Sequence, residues 1–401
     1  MKILKTQKGL YLIIFFIILS LFDLIYPSKG DNVDRTLPQI GRAIFLGFMI
    51  LAIIRVKISG VKMPQPITDK GVGFLLFLFF GMSLFSLELF FLNALSMVKI
   101  LYWICGYYFF YYMLLKGVIS AKHIEYFMIA AVIIYFLTVI RDYANQDLRK
   151  GSKDFFVSNN AYHLLKCFPL VLLFKNKLTN VLMLLIAIGL VLAFKRGALL
   201  AFSVAFIIYY IYILFKVKEK KFMKIIIGIG IIGAAWYYFS SNIDVFSERM
   251  EDFENVETAG SGRGNMFGLI LEDMFSVNAD PLVLFFGNGP YATKDFFQRT
   301  IGHRIVAHSD FLEFLYDFGV LGLIGFVFFF FRVFKLFLFF KKDYYGLVLA
   351  LWIITIGLSS LYSINFFNAE MIYAILPIVF LEYQRMIKIR QNIMNSIGKA
   401  K

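Results

Sequence analysis

Gly287-Asn288-Gly289-Pro290, a polar run, Ala307-His308-Ser309-Asp310-Phe311-Leu312-Glu313, and Asp317-Phe318-Gly319-Val320-Leu321-Gly322 follow one another in the chain, and a purely apolar run comes after them. The order is a turn, a helix start and a segment fit to enter a bilayer. Ser309 or Asp310 suits the N-cap, and Asp310-x-x-Glu313 resembles a capping box. His308 then stands just before a helix N-terminus, where a partial positive charge and unpaired N–H groups favour anions. Asp310, Glu313 and Asp317 share one helical face. They read either as groups that orient the histidine or as caps that solvate the helix. His303, five residues earlier, reads as a surface histidine in a loop.

Outward from this stretch, composition sets the class. Hydrophobic residues make up 60% of 401, aromatics 19% and charged residues 17%, where a soluble domain carries roughly 25% charge. The chain reads as a polytopic membrane protein. Its net charge of +15 fits loop lysines that set topology, and with no compact basic domain a nucleic-acid partner is excluded. Cys105 and Cys167 lie in apolar runs without metal or disulfide spacing and read as packed thiols. The N-terminal lysines and apolar run imitate a signal peptide. Tyr26-Pro27-Ser28-Lys29-Gly30 lacks a small-x-small cleavage site, so the run is expected to be the first transmembrane helix.

Apolar segments near Gly9–Tyr26, Pro38–Ile54, Gly71–Leu87, Val98–Leu115, Glu125–Ile140, Tyr162–Phe174, Leu178–Phe194, Ala198–Phe215, Phe222–Phe239, Phe311–Phe331, Tyr345–Ser363 and Met371–Tyr383 predict about twelve spans. Lys and Arg gather in alternate connections, among them Lys57/Lys62/Lys70, Lys116/Lys122, Lys216–Lys224 and Lys341/Lys342. That face is assigned to the cytoplasm, with both termini on it. The expected fold is an all-α integral membrane protein, a single polytopic domain over residues 1–401. One long extracytoplasmic loop, residues 240–307, is rich in acids (Asp244, Glu248, Glu251, Asp252, Glu254, Glu257) and carries short helices. Within it, Met266–Phe275 reads as amphipathic, with Phe267, Ile270, Leu271 and Met274 on one face.

Lys195-Arg196-Gly197 interrupts two apolar runs on the outer face. One reading is a tight turn whose cations reach the interface. Two cations there run against the positive-inside bias, however, and an arginine fork matches phosphate oxygens while glycine lets the backbone approach. Arg263, in Gly260-Ser261-Gly262-Arg263-Gly264, reads as solvated surface or as a second cation of the same site. Gly287 and Gly289 read as a turn or as a backbone nest for an anion. Glu88 is the deepest intramembrane acid; Asp23, Glu125, Glu370 and Glu382 lie near helix ends and are expected to reach water. No residue spacing suggests a metal site.

Taken in order, Ala193-Phe194-Lys195-Arg196-Gly197-Ala198, Gly262-Arg263, Phe286-Gly287-Asn288-Gly289 and Ala307-His308-Ser309-Asp310-Phe311-Leu312-Glu313 with Gly319-Val320-Leu321-Gly322 resemble the O-antigen ligase/polymerase superfamily. The family shows Ser-Arg-Gly, His-Asn and a Trp after the loop arginine; this chain has Lys195, Ser309 and Met266-Phe267 at those places. The resemblance implies an inner-membrane glycosyltransferase of bacteria, active on the extracytoplasmic face, that inverts at the sugar and uses neither metal nor cofactor. Its donor would be a glycan on undecaprenyl diphosphate and its acceptor a second glycan, with the prenyl tail among membrane lipids. Arg196 and Arg263 would take up the leaving diphosphate's charge and His308 would be the general base, so these three are the catalytic candidates. Lys195, Gly197, Gly287, Gly289 and Asp310 are the substrate-binding candidates.

The leading expectation is a polymerase of surface-polysaccharide repeat units, in contact with a flippase and a chain-length regulator. A ligase acting on a lipid or protein acceptor is the near alternative. A lipid-linked sugar flippase is the rival of another class, although such transport usually places charge at mid-membrane. A further option, a glycosyltransferase working through Asp31 and Asp34 of the first outer loop, would lose activity on mutation of those acids rather than of the arginines.

Overall fold

The computed structural model describes residues 2–25, 36–60, 64–82, 88, 93–144, 158–174, 177–193, 195–216, 259–276 and 280–399. The regular structure of these residues is helical. In chain order the helices are α1 (Lys2–Ile25), α2 (Thr36–Ile58), α3 (Asp69–Leu76, continued by a π turn over Phe77–Gly81), α4 (Ala94–Leu115) and α5 (Ala121–Ala144). Then come α6 (Asn160–Val171), α7 (Lys177–Leu192), α8 (Arg196–Lys216), α9 (Ala259–Phe275), α10 (Pro281–Phe286) and α11 (Ala292–Ile301). The chain closes with α12 (Asp310–Phe340), α13 (Tyr344–Tyr362) and α14 (Met371–Lys399).

Eleven of the twelve expected spans fall on these helices. The one at Phe222–Phe239, the loop acids from Asp244 to Glu257, and Asp31 and Asp34 lie outside the described residues. Among the described residues, six helices are long and apolar enough to cross a membrane: α2, α4, α5, α8, α12 and α13. Two shorter apolar helices, within α1 and α7, accompany them.

Helices in lipid gain little from hydrophobicity, so they associate through close packing at small residues and through buried polar contacts. Both occur here. A Cβ on Gly106 of α4 would run into Ile372 of α14, and one on Gly189 of α7 would run into Leu164 of α6. Between α12 and the 363–370 segment, Phe314, Phe326 and Phe329 gather around Phe366 with ring centroids 5.1–6.0 Å apart. Pro169 and Pro377 sit inside α6 and α14, a placement that membrane helices packed against others tolerate.

The two terminal glutamates depart from expectation. Glu370 is 9% exposed and pairs with Arg42 at 2.9 Å; Glu382 is fully buried and pairs with Arg385 at 2.9 Å. A carboxylate in a low-dielectric interior needs a partner, and each finds an arginine that sequence spacing did not reveal for Glu370. Glu88 is exposed.

The helices between α8 and α12 form a second, smaller core. Ile270 and Met274 of α9, Ala292, Phe296 and Phe297 of α11, Ala307, and Leu315 and Tyr316 of α12 are buried together. The amphipathic segment is therefore confirmed as helical, but Leu271 points outward at 42% exposure while Met266 and Leu269 join Ile270 and Met274. This core seals the loop onto the first half of α12 and so holds the segment that carries His308.

Candidate functional site

α12 is built in two parts. Gly319 takes φ 63° and ψ −158°, which breaks the helical path. The break strands the carbonyls of Tyr316 and Asp317, and these accept from Asn288 N at 3.0 Å and Gly289 N at 2.8 Å. Both glycines are required by this crossing. A Cβ on Gly319 would meet the carbonyl of Phe285, and one on Gly287 would meet the backbone of Asp317 and Phe318. Gly287 N is itself donated to Val283 O at 2.7 Å. The two glycines expected to cradle an anion thus spend their N–H groups on the protein, and the geometry gives them an architectural role.

In the half of α12 before the break, the three carboxylates are fully buried. They neither solvate the helix nor form a capping box; each reaches out to fix a loop. Asp310 accepts from Asn365 N at 2.9 Å and Phe366 N at 3.1 Å. Glu313 accepts from Ala307 N at 2.6 Å and Thr293 Oγ1 at 2.7 Å. Asp317 accepts from Tyr291 N at 2.6 Å. Asp310, expected among the substrate-binding residues, is therefore a brace whose oxygens face backbone amides.

The braces hold two residues in left-handed backbone: Tyr291 at φ 60° and His308 at φ 56°. Such conformations cost about 1–3 kcal/mol for a residue with a side chain and gather at functional sites. Around His308 the fixation is two-sided. Glu313 grips the preceding residue, and Ser309, the N-cap, donates its hydroxyl to Ser360 O at 3.3 Å. His308 itself is half-buried.

Arg196 is the first residue of α8 and half-buried. A cation in the first turn opposes the helix dipole, so local helix energetics do not account for it. Lys195, just ahead, donates to Asn159 Oδ1 at 2.9 Å and lies over the Tyr162 ring at 5.9 Å. Gly197 abuts Tyr162 and Tyr362, where a Cβ would collide with both. The Tyr162 hydroxyl in turn donates to Tyr362 O at 3.2 Å.

The last turn of α13 is thus the hub of the site. Tyr362 backs the Lys-Arg-Gly turn while Ser360 holds the residue after His308. Arg196 and His308, 112 positions apart in sequence (308 − 196), are each tied through a neighbouring residue to the last turn of α13. Arg263 lies in the first turns of α9, and its side chain falls outside the described residues. His303 is exposed, as a surface histidine should be.

Sequence reasoning missed a polar cluster deeper in the same end. Arg42 and Glu370 pair there, and Lys166 of α6, 1% exposed, is close enough to both Glu370 and Asp310 to interact electrostatically. Burial pushes the Glu370 carboxyl up, but Arg42, His163 and Lys166 outweigh it and hold the group below the usual carboxylate range. The available signal was a lysine and a histidine one turn apart in an apolar segment, His163 and Lys166.

Fold and site together define a polytopic helical membrane protein with cationic and imidazole groups gathered at one end of its bundle. Residues 181–327 match the O-antigen ligase family, and the match spans the Lys-Arg-Gly turn, helices α9 to α11 and the His308 segment. No curated protein matches the chain.

Proposed function

We propose that the chain is a glycan transferase that polymerises lipid-linked repeat units of a bacterial surface polysaccharide on the outer face of the cytoplasmic membrane. The observation that carries this reading is His308, braced in left-handed backbone at the bundle end that also presents Arg196. The family match over residues 181–327 supports glycan transfer.

In the proposed reaction an acceptor hydroxyl attacks C1 of the donor sugar from the face opposite the leaving group. The new C1–O bond forms, the bond from C1 to the diphosphate oxygen breaks, and configuration inverts. The hydroxyl proton passes to the neutral imidazole of His308. The diphosphate leaves with the bonding pair, and Arg196 and Arg263 stabilise its charge, with Lys195 adding a third cation. Gly197 lets Tyr162 and Tyr362 pack against the start of α8 and so helps to position Arg196. No step calls for a metal. Ligation of a finished glycan to a lipid or protein acceptor is the second reading, favoured by the family's description as O-antigen ligase; the two share the donor chemistry and differ in the acceptor.

The test separates binding from transfer in a reconstituted assay with an undecaprenyl-diphosphate oligosaccharide. His308→Ala should bind donor as the parent does and transfer it about 10²–10⁴-fold more slowly. The parent rate should rise with pH as His308 loses its proton, because only the neutral ring accepts one. Lost donor affinity with a rate that favours low pH would make His308 a phosphate ligand instead. A ladder of lengthening products supports polymerisation, and a single transfer to a non-glycan acceptor supports ligation.

A further inference from the structure

At the end of the bundle opposite His308, α2, α3 and α4 enclose a cavity of about 730 Å³, within the range of roughly 300–1,000 Å³ typical of small-molecule sites. Its wall is apolar, with Ile50, Ile53 and Ile54 from α2 and Ile104 from α4. Among the described residues that line it, the charged ones are Lys57 and Asp69. The Tyr108 hydroxyl faces the Asp69 carboxylate and completes a polar rim above the apolar wall.

The rim is rigid. Tyr111 donates to Pro64 O at 2.8 Å, Arg385 to Gln65 O at 3.0 Å and Arg332 to Ile67 O at 2.6 Å. Thr68 gives both its N–H and its hydroxyl to the buried Glu382. Such a mouth is organised before a ligand arrives, which lowers the cost of binding.

Depth and access indicate what fits. Ile50 lies eight residues (58 − 50) before the end of α2, so the cavity reaches about 12 Å into the bundle. That is close to one leaflet of a hydrocarbon core of about 30 Å. Ile54 is 46% exposed, so the wall opens sideways between helices, as entry from a bilayer requires. The charges indicate the headgroup. A phosphodiester suits Lys57 and an ammonium suits Asp69, whereas an anionic headgroup satisfies Lys57 and leaves Asp69 facing like charge.

A prenyl diphosphate donor fits poorly. Arg332, which holds the connector at Ile67, is 12 residues along the second part of α12 from Val320 (332 − 320), on the order of 18 Å beyond the break. A donor with its diphosphate beside His308 would bring only the far end of its tail here, with nothing for Lys57 or Asp69 to bind.

We propose that this cavity is a binding site for one zwitterionic phospholipid of the phosphatidylethanolamine type. One acyl chain lies between α2 and α4, and the headgroup bridges Lys57 and Asp69. The inference is independent of the transfer chemistry at the other end.

Native mass spectrometry of the full chain tests it, after delipidation and add-back of phosphatidylethanolamine or phosphatidylglycerol with identical chains. One phosphatidylethanolamine per chain should be retained, about tenfold more tightly than phosphatidylglycerol. Lys57→Gln should weaken both lipids, Asp69→Asn should erase the preference, and Ile104→Trp should fill the cavity and abolish retention. Equal retention of the two lipids by the parent chain overturns the proposal, as does unchanged retention in Ile104→Trp. Displacement by an equal amount of undecaprenyl phosphate also overturns it, in favour of the donor tail. Should the tryptophan variant fail to fold, the lipid preference of the parent and of the two rim variants decides the matter.

Discussion

Apart from the Arg42–Glu370 pair, the two ends of this bundle bury carboxylates in different ways. At one end Asp310, Glu313 and Asp317 spend their oxygens on backbone N–H groups of distant loops, and two residues in or beside those loops take left-handed backbone. At the other end Glu382 meets Arg385 and Thr68, which clamp the 64–68 connector. A carboxylate on a backbone amide fixes the chain's path and can hold a shape that the loop would not adopt alone. A carboxylate on an arginine fixes two helices or a connector and leaves the backbone in ordinary conformations. The first end is built to hold a strained site and the second to hold the bundle together.

The comparison breaks most visibly at Glu382. Glu382→Ala should cost about 3–5 kcal/mol of stability, because Arg385 is left buried without its partner. Thermal unfolding in detergent reads this, and transfer per folded molecule should stay near that of the parent. Glu313→Ala should show the reverse balance: about 1–3 kcal/mol lost for the orphaned Ala307 N–H and Thr293 hydroxyl, with a larger fall in transfer per folded molecule. If both variants lose stability and activity in the same proportion, the two ends do not differ in kind.

Arg196→Ala should reduce glycan transfer by about 10²–10³-fold while leaving thermal stability within the range of a surface change. Arg196→Lys should recover only part of the loss, since a point charge cannot make a bidentate contact. Full activity in the alanine variant would leave the first turn of α8 as a plain helix start and remove the arginine from the site.

The smallest expected effect is a pH dependence confined to the strained end. Lys294 of α11 lies 4.1 Å over the Tyr291 ring, with Nζ 3.4 Å from Ser96 Oγ. Burial, with Lys99 next in effect, pulls it from its ordinary 10.5 down to about 8, although Glu313 and Asp317 oppose the shift. Between those two values the unfolded chain binds more protons than the folded one, so stability should rise with pH across that window. Lys294→Met should flatten the rise in melting temperature; an unchanged slope would show that another group produces it.

Much of this was legible in the residues. Gly287-Asn288-Gly289 is a turn by composition, and Gly319 interrupts an apolar pattern that needs no glycine, but pattern alone does not reveal that one pairs with the other. Ser359 and Ser360 look like ordinary polar interruptions near a helix end, yet their hydroxyls accept from Asn365 Nδ2 and the Ser360 carbonyl accepts from Ser309 beside His308. The carboxylates illustrate the limit best. Their shared helical face was readable from spacing, while their burial was not, because burial depends on which loops fold back over that face.

The sequence by itself determined the class of this protein: an apolar, aromatic-rich chain of helices with cations and a histidine at segment edges. Composition and periodicity suffice for that, since a bilayer accepts helices whose length and polarity match it. Only the tertiary structure decided which edges meet, that His308 is held in left-handed backbone, and that three acids act as braces. Those outcomes rest on contacts between residues tens to hundreds of positions apart, and no local pattern encodes the partner of a buried polar group.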